Sequence, residues 1–380
     1  MNNPVRIGIA AALLIIAGLV VFFLKGGTDS NTSVFNTPPP AITVSGFYGG
    51  EKEEFLKDPE VQQILASKYA ITVSARKAGS VEMVRDLPLT PNDDFVWAPL
   101  PRCPWRCTRS VAVSSLARTT SSTRRWCSTP GVRVVDALVK SKIVEKRADA
   151  LYVIDMNKFV TMIADGKRWA DVGLPQLSGR MSIRTTDPNF SNGGFIFAGL
   201  LASTFNNGEI PEDATIGAVL PRLTQFFTRL GFMEQSSKDL FQQYLTTGMG
   251  AKTVVAGYEN QLVEYILANP EQKSVILQSV RVLYPEPTVW SSHPFIARTS
   301  KGKRLMEALK DPQIQELAWR KHGFRSGLPS VVNDPKTLGI DGMPQRIDSV
   351  IDMPSPAVME KILSTINPGL PGNAGSAPTR

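Results

Sequence analysis

Histidine and cysteine are scarce in this sequence, which has two histidines and three cysteines among 380 residues. Zinc and related metals are bound by clusters of these residue types, so we expect no multi-histidine or cysteine–histidine metal site. The rest of the composition, 42% hydrophobic and 20% charged, is typical of a folded globular protein and argues against a disordered chain. The length allows two medium domains or one large α/β unit.

The motifs of common enzyme classes are missing as well. The sequence has no G-x-S-x-G nucleophile elbow, no G-x-x-x-x-G-K-[ST] phosphate loop and no G-x-G-x-x-G dinucleotide fingerprint. His293 precedes a proline, and His322 lies at a predicted helix end, without a serine or cysteine partner suggested by spacing. We therefore expect neither a cofactor nor enzymatic activity.

Positive charge is concentrated in one segment. The formal net charge of +8 first suggests a nucleic-acid or acidic-membrane partner. Residues 99–133, however, hold seven arginines and no lysine, aspartate or glutamate, so the rest of the chain is close to neutral. We therefore expect no nucleic-acid partner. The arginines of this segment are Arg102, Arg106, Arg109, Arg118, Arg124, Arg125 and Arg133.

The same segment, residues 99–133, contains every cysteine and resembles neither of its flanks. One interpretation is a basic arm that binds nucleic acid. A second is an unusual loop with a disulfide or metal, for which the C-x3-C spacing of Cys103 and Cys107 is a weak signal. A third, which we favour, is a local reading-frame shift, because acid-free stretches rich in Arg, Ser, Thr, Pro, Cys and Trp are typical of out-of-frame translation.

The N-terminal region predicts export. Residues 7–24 form an uncharged run about 27 Å long as a helix, which is enough to cross a bilayer core. Charged residues lie on both sides, no A-x-A cleavage site follows, and no cysteine in the first hundred residues could carry a lipid. We predict a signal anchor over residues 1–25, a flexible linker over 26–40, and a domain outside the cytoplasmic membrane, in the periplasm or at the cell surface.

Strand-like and helical patterns alternate between residue 41 and about residue 321, which predicts an α/β fold with largely parallel sheets. Residues 351–380 are rich in Pro, Gly and Ser and are predicted to be a tail. The predicted strands are 41–45, 71–75, 94–98, 151–155, 181–185, 253–257 and 280–284. The predicted helices are 134–144, 191–205, 213–230, 237–245, 258–268 and 301–321, the last with a break near Asp311-Pro312.

The most informative motif lies within residues 169–199. A predicted strand ends at Thr186, Asp187-Pro188 form a turn, and Ser191, Asn192 and Gly193 open a helix. The unbonded N–H groups of such a first helical turn form a ready cradle for an anion. Taken in isolation, these three residues are more commonly an ordinary capped helix start.

This motif resembles the start of the second lobe in bacterial extracellular solute-binding proteins of the two-lobed periplasmic type. In that family W-x-D-[LV] and G-x-[IM]-x-[IV]-x-[ST]-x-D-P-x-x-S-x-x-G recur. The resemblance spans roughly residues 41–325. Further agreement comes from the strand–glycine turn–helix at 44–54, Gly79-Ser80, Gly257-Tyr258-Glu259, the segment 284–288 and His293-Pro294.

The resemblance implies two α/β lobes joined by hinge strands, with a ligand in the cleft at the carboxyl ends of the strands. The first lobe would comprise residues 41–130 and 285–350, and the second lobe residues 131–284. The family has an apolar crossing strand near residues 120–130, where this chain has its arginine-rich segment. That departure puts the hinge of this chain in doubt and agrees with a frame shift.

The function implied by the resemblance is capture of a small ligand, an oxyanion or a carboxylated solute, for the permease of an ABC-type transporter. The alternative is a membrane-tethered cell-envelope interaction module that kept the fold, and a third class is an enzyme with Glu259 as base. Glu259 alone is best explained as a helix cap, although a carboxylate there could also bind an amine or a metal. The implied ligand-binding residues are Ser45, Gly46, Tyr48, Gly49, Ser80, Trp97, Thr186, Ser191, Asn192, Gly193, Tyr258 and Glu259.

The frame-shift interpretation predicts the outcome of resequencing the gene across residues 99–133. We expect an alternative frame to encode an apolar, strand-like segment in place of the arginine-rich one. A sequence that confirms the present frame, with no insertion or deletion at either end, would contradict this interpretation.

Overall fold

The structure is a computed structural model that describes residues 40–85, 87–98, 100–101, 124–128, 131–247, 252–345 and 349–366. The predicted anchor at 7–24 lies outside these ranges, as do most of the linker, residues 367–380 of the predicted tail and residues 102–123 of the arginine-rich segment. Within the described ranges, no helix combines the length and the apolar character needed to cross a membrane. The residues from Ile42 onward form one compact unit.

Strands and helices alternate along this unit, as the sequence pattern predicts. The strands are β1 (Ile42–Gly49), β2 (Ile71–Ala78), β3 (Phe95–Trp97), β4 (Leu100–Pro101), β5 (Arg124–Ser128), β6 (Val144–Lys146), β7 (Tyr152–Ile154), β8 (Ala256–Tyr258), β9 (Leu283–Pro285), β10 (Trp290–Ser292) and β11 (Phe295–Ala297). The helices are α1 (Glu53–Lys57), α2 (Pro59–Tyr69), α3 (Ser80–Arg85), α4 (Val132–Lys140), α5 (Met156–Ala164), α6 (Asn192–Phe205), α7 (Ile216–Leu230), α8 (Ser237–Thr247), α9 (Glu259–Ala268), α10 (Lys273–Ser279), α11 (Ser300–Ala308), α12 (Pro312–His322) and α13 (Pro356–Ile366).

The first lobe is built on a four-stranded sheet in the order β2-β1-β3-β11. β1 is parallel to β2 and β3, and β11 runs antiparallel to β3. β1 is a central strand, and its second half, Gly46–Gly49, is buried, as expected for a strand covered on both faces. Helices α1, α2, α11 and α12 pack on one face of this sheet around Phe55, Leu65 and Leu305.

The second lobe is built on a seven-stranded sheet in the order β4-β10-β5-β9-β7-β6, with β8 also paired to β5. Its core holds residues of α4, α5, α6, α7 and α13, and a separate apolar cluster holds residues of α8, α9 and α10. The predicted strand at 181–185 is not a continuous strand. It is an extended segment with single bridges from Arg184 to Val255 and from Thr186 to Glu234.

Three connections join the lobes. β3 continues into β4, and β10 continues through His293-Pro294 into β11, so both pairs link the two sheets. The third connection is the end of α12, after which the chain returns to the second lobe. Along this returning segment, Leu338, Ile340 and Met359 belong to the apolar clusters of the second lobe. The predicted boundaries, by contrast, assigned residues 285–350 to the first lobe.

Gly302 sets how closely α11 approaches the first sheet. A Cβ built on Gly302 would lie 2.2 Å from the carbonyl oxygen of Asp94, which is closer than atoms can approach. Asp94 in turn accepts a hydrogen bond from the Ser45 N–H at 2.9 Å and from the Thr299 hydroxyl at 2.5 Å. The glycine therefore lets α11 approach the backbone of Asp94, the residue whose carboxylate anchors β1.

We expect Gly302→Ala to destabilise the protein by about 1–3 kcal/mol, because the Asp94 backbone must shift to make room. Gly217→Ala on α7 is the matched control, since no atom lies within 4 Å of its added Cβ. The control should be neutral or stabilising by up to about 1 kcal/mol. Urea unfolding gives the free energy of unfolding of both variants. Equal free energies for Gly302→Ala and Gly217→Ala would contradict the close approach.

Candidate functional site

A cavity of about 410 Å³ lies between the lobes, at the carboxyl ends of β1 and β2. The first lobe contributes the turn after β1, the end of β2 and the start of α3. The second lobe contributes the starts of α6 and α8. The lining residues are Gly50, Glu51, Lys77, Ala78, Gly79, Ser80, Phe190, Ser191, Asn192, Gly193, Gln235, Ser236, Ser237, Lys238 and Asp239.

The start of α6 is fixed by close packing on the preceding turn. Ser191 is its N-cap, and the Ser191 hydroxyl accepts a hydrogen bond from the Gly193 N–H at 3.3 Å. A Cβ built on Gly194 would lie 2.1 Å from the Thr186 carbonyl oxygen, so only glycine fits there. The helix therefore begins in direct contact with the end of the extended segment.

Asn192 ties this helix to two strands. Its side-chain amide donates to the Tyr258 hydroxyl at 2.8 Å and to the Ser291 hydroxyl at 3.0 Å. Asn192 is buried, Tyr258 ends β8, and Ser291 lies in the crossing strand β10. The Asn192 side chain therefore links the site to the hinge.

A second helix N-terminus converges on the first. The Cβ of Ser237, the first residue of α8, lies 3.6 Å from the position that a Cβ on Gly193 would take. α6 and α8 are long enough to present partial positive charge at their first turns. The cavity can therefore bind an anion through backbone N–H groups from two helices.

Two lysines add to this positive potential. Lys77 lies across the turn of the first lobe, with its ammonium nitrogen 3.3 Å from the position of a Cβ on Gly50. Lys238 enters from the second lobe and also pairs with Glu54 of α1, so Lys77 contributes more of the uncompensated positive charge. The negative charge of Glu51 is compensated by its ion pair with the buried Lys52. Asp239, in the first turn of α8, is the other carboxylate of the lining.

The structure brings four of the predicted site residues together: Ser80, Ser191, Asn192 and Gly193 line the cavity. Gly49 ends β1 just before the lining begins, and a Cβ there would contact the Glu51 carboxylate. The other seven are not in the lining. They are Ser45, Gly46, Tyr48, Trp97, Thr186, Tyr258 and Glu259.

The predicted residues of the first sheet have structural contacts. A Cβ on Gly46 would lie 2.3 Å from the Phe95 carbonyl oxygen, so glycine allows β1 and β3 to approach closely. Tyr48 is buried in the core of the lobe. The buried Trp97 indole N–H donates to the His293 carbonyl at 3.1 Å, beside the crossing strand.

Glu259 forms a buried ion pair. Its Oε1 accepts from the Arg325 Nε at 2.7 Å, and its Oε2 accepts from the Tyr284 hydroxyl at 3.3 Å. Arg325 also donates to the Pro344 carbonyl at 2.9 Å. Burial disfavours the charge of the Arg325 guanidinium, but the Glu259 carboxylate outweighs this effect, so the pKa of Arg325 is raised. The carboxylate therefore connects α9 to the chain that follows α12.

Local sequence patterns do not indicate Lys77 or the segment from Gln235 to Asp239 as cavity residues. Lys77 stands two residues before Gly79-Ser80, which includes the predicted site residue Ser80, but a lysine there has no pattern of its own. The start of α8 shows only a helical pattern. Within the described part of the chain, no group of three histidine, cysteine, aspartate or glutamate side chains could hold a metal ion.

Solved structures share this fold. A putative extracellular solute-binding protein from Bordetella parapertussis is 12% identical, with a TM-score of 0.51 over 88% of this chain and 99% of that one. The substrate binding protein of an ABC transporter from Agrobacterium tumefaciens is 13% identical, with a TM-score of 0.50 over 87% of this chain and 96% of that one. No protein-family model matches the chain. No curated protein matches it either. The chain has the two-lobed α/β fold of bacterial extracellular solute-binding proteins.

The Glu259–Arg325 pair predicts a large stability effect. Arg325→Met should cost about 3–5 kcal/mol, because it leaves a buried carboxylate without its cation. Adding Glu259→Gln should recover part of the loss. Arg320→Met on α12 is the control, since its pair with Glu316 is exposed, and it should cost less than about 1 kcal/mol. Urea unfolding measures all three, and an Arg325→Met cost no larger than the control's would contradict the buried pair.

Proposed function

We propose that this chain is an extracytoplasmic solute-binding protein that captures a small anionic ligand, an oxyanion or a carboxylated solute, in the interlobe cavity. The observation that carries the proposal is the convergence of the α6 and α8 N-termini with Lys77 and Lys238 on one cavity. Two helix starts and the Lys77 ammonium group favour negative charge in the same place, and Lys238, which is also paired with Glu54, lies beside them.

The chemistry of the lining supports a small polar ligand. Hydroxyls come from both lobes, with Ser80 on the first and Ser191, Ser236 and Ser237 on the second. Hydroxyls can donate to an oxyanion or accept from a ligand hydroxyl, so they suit a polar solute. A volume of about 410 Å³ holds a small molecule, with one aromatic side chain, Phe190, at its edge.

The placement of the site between two lobes supports capture by closure. The lobes are joined by the short connections from β3 to β4 and from β10 to β11, while the cavity lining is divided between them. A bound anion would therefore contact both lobes at once and stabilise their closed arrangement. The hydrogen bond from Asn192 to Ser291 of β10 would couple a movement of α6 to a movement of the hinge.

Delivery to an ABC-type permease is the simplest purpose for such capture. The predicted anchor at residues 7–24 would hold the domain at the outer face of the cytoplasmic membrane, beside that permease. The alternative of a cell-envelope interaction module would use the same fold without a ligand, and it is distinguished by the experiment below.

We expect thermal unfolding of the full chain to shift upward with at least one member of a panel of sulfate, phosphate, carboxylates, amino acids and sugar phosphates. A ligand at a hundred times its Kd stabilises the folded state by about 2.7 kcal/mol. Lys77→Gln should weaken binding of that ligand, whereas Lys301→Gln, at an exposed position on α11, should not.

A panel in which no compound raises the unfolding temperature would reject the solute-binding proposal. Capture of a cell-envelope protein by the same chain would then favour the interaction module. Binding of neutral sugars alone, unaffected by Lys77→Gln, would reject the anionic ligand class while keeping the binding protein.

A further inference from the structure

Lys238 joins the two lobes through ion pairs. Its ammonium nitrogen lies 2.7 Å from Glu54 Oε1 and 3.5 Å from Glu53 Oε2. Lys238 is the second residue of α8, in the second lobe, and both glutamates belong to α1, in the first lobe. These pairs therefore span the mouth of the interlobe region.

The contact between α1 and α8 depends on charge rather than on apolar packing. The apolar residues of α1, Phe55 and Leu56, belong to the core of the first sheet. The apolar residues of α8, Leu240 and Phe241, belong to a different cluster in the second lobe. Separating these two helices would therefore break ion pairs without opening either core.

The contact between α12 and α9 is of the opposite kind. α12 contributes Ile314 to the core of the first sheet and Trp319 to the cluster that holds α9. At its end, Gly323 has a positive φ of 65°, and a Cβ there would lie 2.8 Å from the Cβ of Val263. This junction is close-packed, so a rotation of the lobes would turn about it and separate α1 from α8.

Lys238 also stands beside the proposed ligand. It lines the 410 Å³ cavity together with Glu51, and the same two residues line a second interlobe cavity of about 710 Å³. The ion pairs thus lie at the boundary between these cavities. Opening the lobes would therefore separate Lys238 from Glu54 at the edge of the ligand cavity.

The charge on Lys238 is stabilised in this arrangement. Burial opposes the charged ammonium, but the hydrogen bond and charge of Glu54 and the charge of Glu53 outweigh it, so the pKa of Lys238 is raised. The side chains are 33% exposed for Lys238 and 55% for Glu54, so salt screens the pairs partly.

We propose that Lys238, Glu53 and Glu54 form an electrostatic clamp that sets the closed population of the lobes. Its role in tuning ligand affinity rests on the proposed function, but the clamp itself acts without ligand. Lys238 is a positioning residue here, because it stabilises closure through the glutamates.

The test is hydrogen–deuterium exchange of the ligand-free full chain, read at backbone amides of residues 50–54, 79–81 and 237–241. Lys238→Glu should speed exchange at these edges of the cleft by about two- to fivefold, the range expected for exposed ion pairs. Glu53→Lys with Glu54→Lys should do the same. Combining all three substitutions restores opposite charges and should return exchange toward the wild-type rate.

Lys361→Glu is the matched control, because Lys361 pairs with Asp213 inside the second lobe, and it should leave the cleft amides unchanged. If Lys238→Glu does not fold, Lys238→Gln and raising NaCl from about 50 mM to about 500 mM on the wild type replace it. Wild-type exchange rates at the cleft amides of Lys238→Glu or Lys238→Gln would overturn the clamp. So would exchange in the triple variant that stays as fast as in Lys238→Glu. Because no ligand is present, failure of the ligand panel would leave this result standing.

Discussion

The contact between the start of α6 and the Thr186 carbonyl is the constraint on which the site depends. Gly194 permits it, since any side chain would overlap that oxygen. The contact places Ser191, Asn192 and Gly193 at the cleft, and it orients the Asn192 amide toward Tyr258 and Ser291. This one close approach therefore fixes the direction of the α6 helix dipole and the hydrogen bond from Asn192 to the hinge strand β10. It also fixes the position of the α6 start beside Ser237 of α8.

Local patterns predicted much of the architecture. Alternating strand and helix signals gave the α/β class, the break at Asp311-Pro312 separates α11 from α12, and Ser191 is the N-cap of α6 as its residue type suggested. These features depend on neighbours within a few residues. The extended segment at 181–185 lacks continuous pairing, because the bridges at Arg184 and, just after the segment, at Thr186 are single ones to different partners.

The composition of the site was harder to predict, because a cavity lining is set by contacts between distant segments. Lys77 and Lys238 are 161 positions apart in the sequence, and neither carries a local signal that it faces a cleft. Glu259 shows the converse case. Its position at a strand end suggested a ligand or a cap, but its partner Arg325 lies 66 residues away, and only tertiary packing brings the two together.

The end of the arginine-rich segment forms a strand of the second sheet. β5, which reads Arg124 to Ser128, pairs with β8, β9 and β10, so it holds an interior position in that sheet. Backbone hydrogen bonds can form for almost any sequence, but interior strands of covered sheets are normally apolar. A strand beginning with two arginines fits the topology and contradicts the usual composition. Both facts are what the frame-shift interpretation predicts, because such a shift would change the residues of this strand while leaving the flanking sequence to specify the fold.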